Sequence, residues 1–135
     1  MNLQSPSTRR KIFVIDDNVD AAGLLAMCIE AHGHETAAAN SGAGVALAAA
    51  FQPESGILDL GMPGMSGYEV AIKLRQLSGL ASVYIAALTG WNDAQTKARV
   101  VASGCDKHLV KPANIGVVLD LVDQRRPVVA TRRGA

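Results

Sequence analysis

Five residues stand out because of what they follow. Asp16 and Asp17 close the apolar run at 12–15, Asp59 closes 57–58, Thr89 closes 83–88 and Lys111 closes 108–110. Three carboxylates, a hydroxyl and an ammonium make a reactive set if the fold gathers them. Two unit charges 4 Å apart repel by about 4 kcal/mol at an effective dielectric near 20. Clustered carboxylates therefore need a counterion, or one must hold a proton. Lys111 offsets one charge, and a divalent cation would offset the rest. An all-oxygen donor set with few protein ligands suits a hard cation, Mg²⁺ better than Ca²⁺ and with Mn²⁺ as a substitute. A carboxylate is also a nucleophile toward an activated phosphoryl group. That transfer needs charge neutralisation and in-line positioning, which a metal, a lysine, a hydroxyl and backbone amides supply.

Convergence depends on the elements that carry these residues. Besides the four runs, an alanine-rich stretch at 35–39 has a weaker strand signal. Segments of helical spacing lie between and after them, at 21–31, 43–51, 68–77, 94–102 and 115–122. Ser66 and Glu69 form a capping-box pattern, Asn92 or Asp93 can cap the next helix, and Gly33 and Gly104 fall where left-handed residues end helices. Five β-α units of about 22 residues predict an α/β fold, a parallel sheet with helices on both faces. Right-handed crossovers make it doubly wound. Such folds place their sites outside the carboxyl ends of the strands, where the five residues fall.

Composition narrows the function. The 135 residues match one domain, with 49% hydrophobic and 19% charged residues, as a chain with a real core has. Cys28 and Cys105 form no CxxC pair, which argues against a zinc site or disulfide scaffold and for a reducing compartment. No run approaches a membrane span, and the first ten residues lack the apolar core of a signal peptide, so a cytoplasmic protein without membrane contact is expected. The net charge of +1 is unevenly spread: between residues 12 and 124, twelve acids face six bases, leaving −6. Such a core repels nucleic acid and concentrates cations. Residues 1–10 and 126–135 are expected to be flexible tails around a domain at 11–125.

The strings IFVIDD at 12–17, ILDLGMPG at 57–64, GYE at 67–69, ALTG at 87–90 and LVKP at 109–112 occur in order. With them the chain resembles the receiver domain of two-component response regulators over about residues 10–125. LTGW at 88–91 and HLVKP at 108–112 bring it nearer to receivers of hybrid sensor histidine kinases. The resemblance implies a flavodoxin-like sheet in the order 2-1-3-4-5. It implies that Asp59 accepts the phosphoryl group and that Asp16 and Asp17, with Asp59 and the Gly61 carbonyl, hold Mg²⁺. It further implies that Thr89 and Lys111 bind phosphoryl oxygens, that Lys111–Pro112 is cis, and that Thr89 and His108 form a switch. The implied partners are a histidine kinase or histidine phosphotransfer protein and a downstream protein. With no effector following the fifth helix, output is expected to pass through that partner. The implied role is a signalling switch that acts on itself and turns over no external substrate.

Some positions depart from the pattern. His108 stands where many receivers carry Tyr or Phe, Ser66 replaces a frequent Asp, Ser55 and Gly56 weaken the third strand, and Gly116 weakens the fifth helix. Among other functions, an aspartate-nucleophile phosphatase would want an acid where Gly61 stands, and a docking module without phosphorylation would be expected to lack Asp59, Thr89 or Lys111. A metal at Cys28, His32 and His34 is disfavoured by the turn at Gly33. A dinucleotide loop at Gly42 and Gly44 lacks its third glycine. Cys105 reads as an apolar filler, Met62 and Met65 as loop packing, and Trp91 as either a surface hydrophobe or a partial lid.

Overall fold

Strands and helices alternate five times in the computed structural model, which describes residues 9–61 and 66–124. The order is β1 (Lys11–Ile15), α1 (Val19–Ala31), β2 (Glu35–Ala39), α2 (Ser41–Phe51), β3 (Ser55–Asp59), α3 (Gly67–Gln76), β4 (Tyr84–Thr89), α4 (Ala94–Ala102), β5 (Lys107–Val110) and α5 (Ile115–Gln124). All neighbouring strands are parallel, in the order β2-β1-β3-β4-β5. This is the doubly wound, flavodoxin-like sheet expected. The tails at 1–8 and 125–135, and the loop residues Met62 and Met65, lie outside the described residues. None of the described helices is long and apolar enough to cross a membrane.

The strands read as apolar runs because both faces of the sheet are covered. Ile12 and Val14 pack with Leu25 and Ile29 of α1 and Val118 of α5. Phe13 and Ile15, turned to the other face by the pleat, pack with Val70 and Leu74 of α3 and Val100 of α4. Ala48 of α2 and Cys105 close this second layer, so Cys105 is a small buried filler.

Two expectations change. Gly56 is no weak point in β3: a side chain there would run into the Phe13 ring, so the glycine makes room for the largest buried side chain. β3 accordingly runs the full length from Ser55 to Asp59, all of it buried, rather than the two residues its apolar run suggested. Gly44, weighed as part of a phosphate loop, is another packing glycine, since a Cβ there would lie 2.7 Å from Ile15 Cδ1. The alanine-rich β2 forms because every residue from Glu35 to Ala39 has a register partner on β1.

Local signals set the helix ends. Asn18, Asn40 and Asp93 accept first-turn amides of α1, α2 and α4, and Ser66 with Glu69 makes the full capping box of α3. Gly33 and Gly104 adopt φ of 100° and 94° just past α1 and α4. One tie had no sequence signal. Arg75 of α3 donates to the carbonyls of Gly104, Ala81 and Val83 and pairs with Asp106 at 2.7 Å, tying α3 to the segments that lead into β4 and β5.

Candidate phosphoacceptor site

The carboxyl ends of β1, β3, β4 and β5 bring Asp16, Asp59, Thr89 and Lys111 to one edge of the sheet. Asp59 is buried, with only 8% of its side chain exposed. Its Oδ1 takes two donors, the Lys111 ammonium at 2.9 Å and the Gly61 amide at 2.9 Å. Gly67 lets α3 begin hard against this strand end: a Cβ there would lie 2.6 Å from the Leu60 Cα and collide with the Asp59 carbonyl. Asp59 is thus fixed from the helix side and the loop side alike.

Asp16 faces Asp59. Its carboxyl is raised above the ordinary 3.8, first by burial and then by hydrogen bonding and charge from Asp59; the Asn18 amide and Lys111 oppose the rise. Asp16 Oδ1 accepts the Asn18 amide at 2.9 Å. Two carboxylates with one ammonium leave uncompensated negative charge at the site.

Asp17 departs from the expected cluster of three. Its Oδ1 accepts the Ser41 amide at 2.7 Å and its Oδ2 the Ser41 hydroxyl at 3.2 Å, so it holds the start of α2. Among the described residues, no three His, Cys, Asp or Glu side chains are grouped as a ready metal cage. The oxygen-only character of Asp16 and Asp59, with their excess charge, still fits a hard cation that keeps several waters. The Gly61 backbone stands beside them: a Cβ there would be 3.7 Å from Asp59 Oδ1.

Thr89 is buried, and its Oγ1 accepts the Trp91 amide at 3.1 Å. The half-buried His108 donates from Nε2 to the Trp91 carbonyl at 3.0 Å. Trp91 itself is 71% exposed, which makes it a surface hydrophobe rather than a lid. The Lys111–Pro112 peptide is cis, and the Lys111 amide donates to the Thr89 carbonyl at 2.8 Å. A cleft of about 590 Å³ opens on Asp16, Asp59 and Lys111, walled by Leu24 of α1 and Ile115 of α5.

Residues 12–123 match the model of the response regulator receiver domain. The chain belongs to this family. Receiver domains are phosphoacceptor switches of two-component signalling rather than turnover enzymes. The chain is 32% identical over 110 residues to the DNA-binding dual master transcriptional regulator RpaA of Synechocystis sp., covering 81% of this chain and 46% of that relative. It thus spans less than half the length of that relative. A response regulator from Burkholderia pseudomallei, solved with a phosphorylated aspartic acid, calcium ion and citrate, is 32% identical with a TM-score of 0.76, over 84% of this chain and 66% of that one. The receiver domain of the sensor histidine kinase PA1611 from Pseudomonas aeruginosa, with a magnesium ion in its active-site cleft, shares the fold at a TM-score of 0.76 and 18% identity, over 86% and 96% of the two chains.

Sequence reasoning missed two features of this site. The Ser41 grip on Asp17 had no signal beyond Asn40-Ser41 as a helix start. The double hold on Trp91 is made by its backbone and leaves no mark on residue type.

Proposed function

We propose that this receiver domain, spanning about residues 11–125, takes a phosphoryl group from a phosphohistidine partner onto Asp59 in a Mg²⁺-dependent reaction. The single observation that carries this reading is the Lys111–Asp59 contact beside a second, charge-strained carboxylate. With Oδ1 held by Lys111 and the Gly61 amide, Oδ2 is the oxygen assigned to attack. The Oδ2–P bond forms as the P–N bond to the donor imidazole breaks, and the imidazole leaves with the electron pair. Lys111 offsets charge on a phosphoryl oxygen, and the Thr89 hydroxyl, on giving up its bond from Trp91, is placed to donate to another. Asp16, Asp59 and the Gly61 carbonyl are the groups to hold Mg²⁺, with Asp17 joining if it releases Ser41. Bound there, the ion neutralises the carboxylates and the incoming phosphoryl charge.

Phosphorylation adds about −1.5 to −2 charges and three acceptor oxygens. Thr89 turning toward them frees the Trp91 amide, and His108 turning inward frees its carbonyl. The face of α4, β5 and α5 is thereby remodelled for a downstream protein. A histidine kinase or histidine phosphotransfer protein is the proposed donor. The two free cysteines support a cytoplasmic setting. The decisive experiment is mass spectrometry after exposure to acetyl phosphate and to a phosphorylated histidine phosphotransfer protein. One phosphoryl group on Asp59, dependent on Mg²⁺ and lost in Asp59→Asn, is expected; labelling that survives in Asp59→Asn would overturn the assignment.

A further inference from the structure

The β2 edge of the sheet is open among the described residues, since β2 has β1 on one side and no strand on the other. The Glu35 amide donates to the Arg10 carbonyl at 2.8 Å, and the Ala39 carbonyl accepts the Asp16 amide at 3.0 Å. Alternate residues of a strand turn their backbone groups to the same side, so Glu35, Ala37 and Ala39 face β1. Thr36 and Ala38 then point their amides and carbonyls outward, where no strand among the described residues meets them. The strand reads ETAAA, without the lysine or proline that blunts such an edge, and Ala38 is exposed. Beside it a hollow of about 250 Å³ opens between β2 and α1, lined by Val19, Gly23, Ala38 and Ala39.

The chain that follows α5 begins next to this edge. α5 ends at Gln124, and the Asp123 carboxylate meets the rings of His32 and His34 at 2.7 and 2.6 Å, the second of them on the residue before β2. The next eleven residues, RRPVVATRRGA at 125–135, hold four arginines and no acid. Val128, Val129 and Thr131 are β-branched, and Pro127 is tolerated as the first residue of an edge strand. Extended, eleven residues reach about 36–40 Å, whereas the five residues of β2 span about 17 Å.

We propose that the tail segment 127–131 adds to β2 as a sixth strand and closes the open edge. Leaving α5 at the end of the sheet where β2 starts, it runs parallel to β2. α1 and α5 pack on the same face of the sheet. A crossover from β5 over α5 to a strand outside β2 steps in the same direction as β1-α1-β2, so it has the same right-handed sense. Alternate tail residues then meet the outward backbone groups of Thr36 and Ala38, and a valine side chain fills the hollow beside α1. The charges match as well. Arginine pairs flank the segment at 125–126 and 132–133, and acids flank β2, Glu35 at its start and Asp17, which holds Ser41, just past its end. Tethered beside the edge, the tail has an effective concentration that a second copy or a separate peptide must exceed. It is thus a built-in occupant of a strand-addition site: it keeps other chains from extending the sheet and covers the hollow, which reaches Asp16.

The test reads two amides and does not depend on phosphorylation. In the full chain the Thr36 and Ala38 amides should be protected from hydrogen exchange, equally at low and high protein concentration. Replacing Val129 and Ala130 together, Val129→Pro with Ala130→Pro, removes an inward amide of the tail whichever of the two faces β2. Exchange at Thr36 and Ala38 should then quicken about threefold to tenfold, the worth of one typical backbone hydrogen bond, while the Ala37 amide, bonded to β1, stays as it was. Val129→Ile should keep the protection. Fast exchange at Thr36 and Ala38 in the native chain would overturn the proposal. So would protection that survives the double proline variant, or protection that grows with protein concentration, the mark of a second copy on the edge.

Discussion

His108 reaches across 17 residues of chain to donate its Nε2–H to the Trp91 carbonyl, 3.0 Å away. The amide of Trp91 is held in turn by Thr89 Oγ1. The two proposed switch residues therefore grip opposite sides of one residue, and neither can turn without releasing it. Any coupling between the acceptor site and the outer face of β5 has a short physical route here.

Trp91 is the single tryptophan, and its indole is exposed, so its emission should report that release. Adding beryllofluoride with Mg²⁺ is expected to change the fluorescence. The change should vanish in Asp59→Asn and shrink in Thr89→Ala. Identical spectra with and without the mimic would mean that the site accepts a phosphoryl group without moving this loop.

Lys111 holds Asp59 directly and should matter to the transition state. Lys111→Ala is expected to slow labelling by acetyl phosphate about 10²-fold, the loss typical of one removed charge stabiliser. Mg²⁺ affinity, measured by calorimetry, should change far less. Complete loss of metal binding in this variant would show that the two roles are wrongly divided.

The raised carboxyl of Asp16 gives a signed prediction. Its folded-state value lies above its unfolded one, so the native protein binds more protons than the unfolded chain across that window, and stability falls as the pH climbs through it. Without metal, Asp16→Asn should therefore melt higher than the native chain at neutral pH, and the difference should disappear below the ordinary value of 3.8. Millimolar Mg²⁺ should raise the native melting temperature by binding the folded state, and should do little for Asp16→Asn. Calorimetric scans across pH, with and without the ion, check both signs.

Gly56 and Gly23 make a matched pair. Gly56→Ala drives a methyl into the Phe13 ring and should cost about 1–3 kcal/mol by overpacking. Gly23 lies inside α1 with nothing within 4 Å of its added Cβ, so Gly23→Ala should stabilise by about 0.5–1 kcal/mol. Urea unfolding midpoints of the two variants should move in opposite directions.

The sequence by itself determined the alternation of elements, the parallel sheet and the positions of the reactive residues. Continuous apolar runs mark strands buried on both faces, and a polar residue ending such a run marks where the chain leaves the sheet. Capping was legible for the same local reason, since Ser66 with Glu69 and Asp93 act within one turn of themselves. Tertiary structure alone decided what depends on neighbours distant in sequence. Gly56 looked like a defect until Phe13 was seen to fill its place. Nothing near Asp17 in the sequence announced that Ser41, 24 residues away, would donate to both its oxygens. Asp123 had no assigned part until α5 laid it between His32 and His34, 91 and 89 residues away. Residue type announces which chemistry is available, but which charge meets which donor is fixed by packing, because hydrogen bonds act over about 3 Å and only the folded chain brings such groups that close.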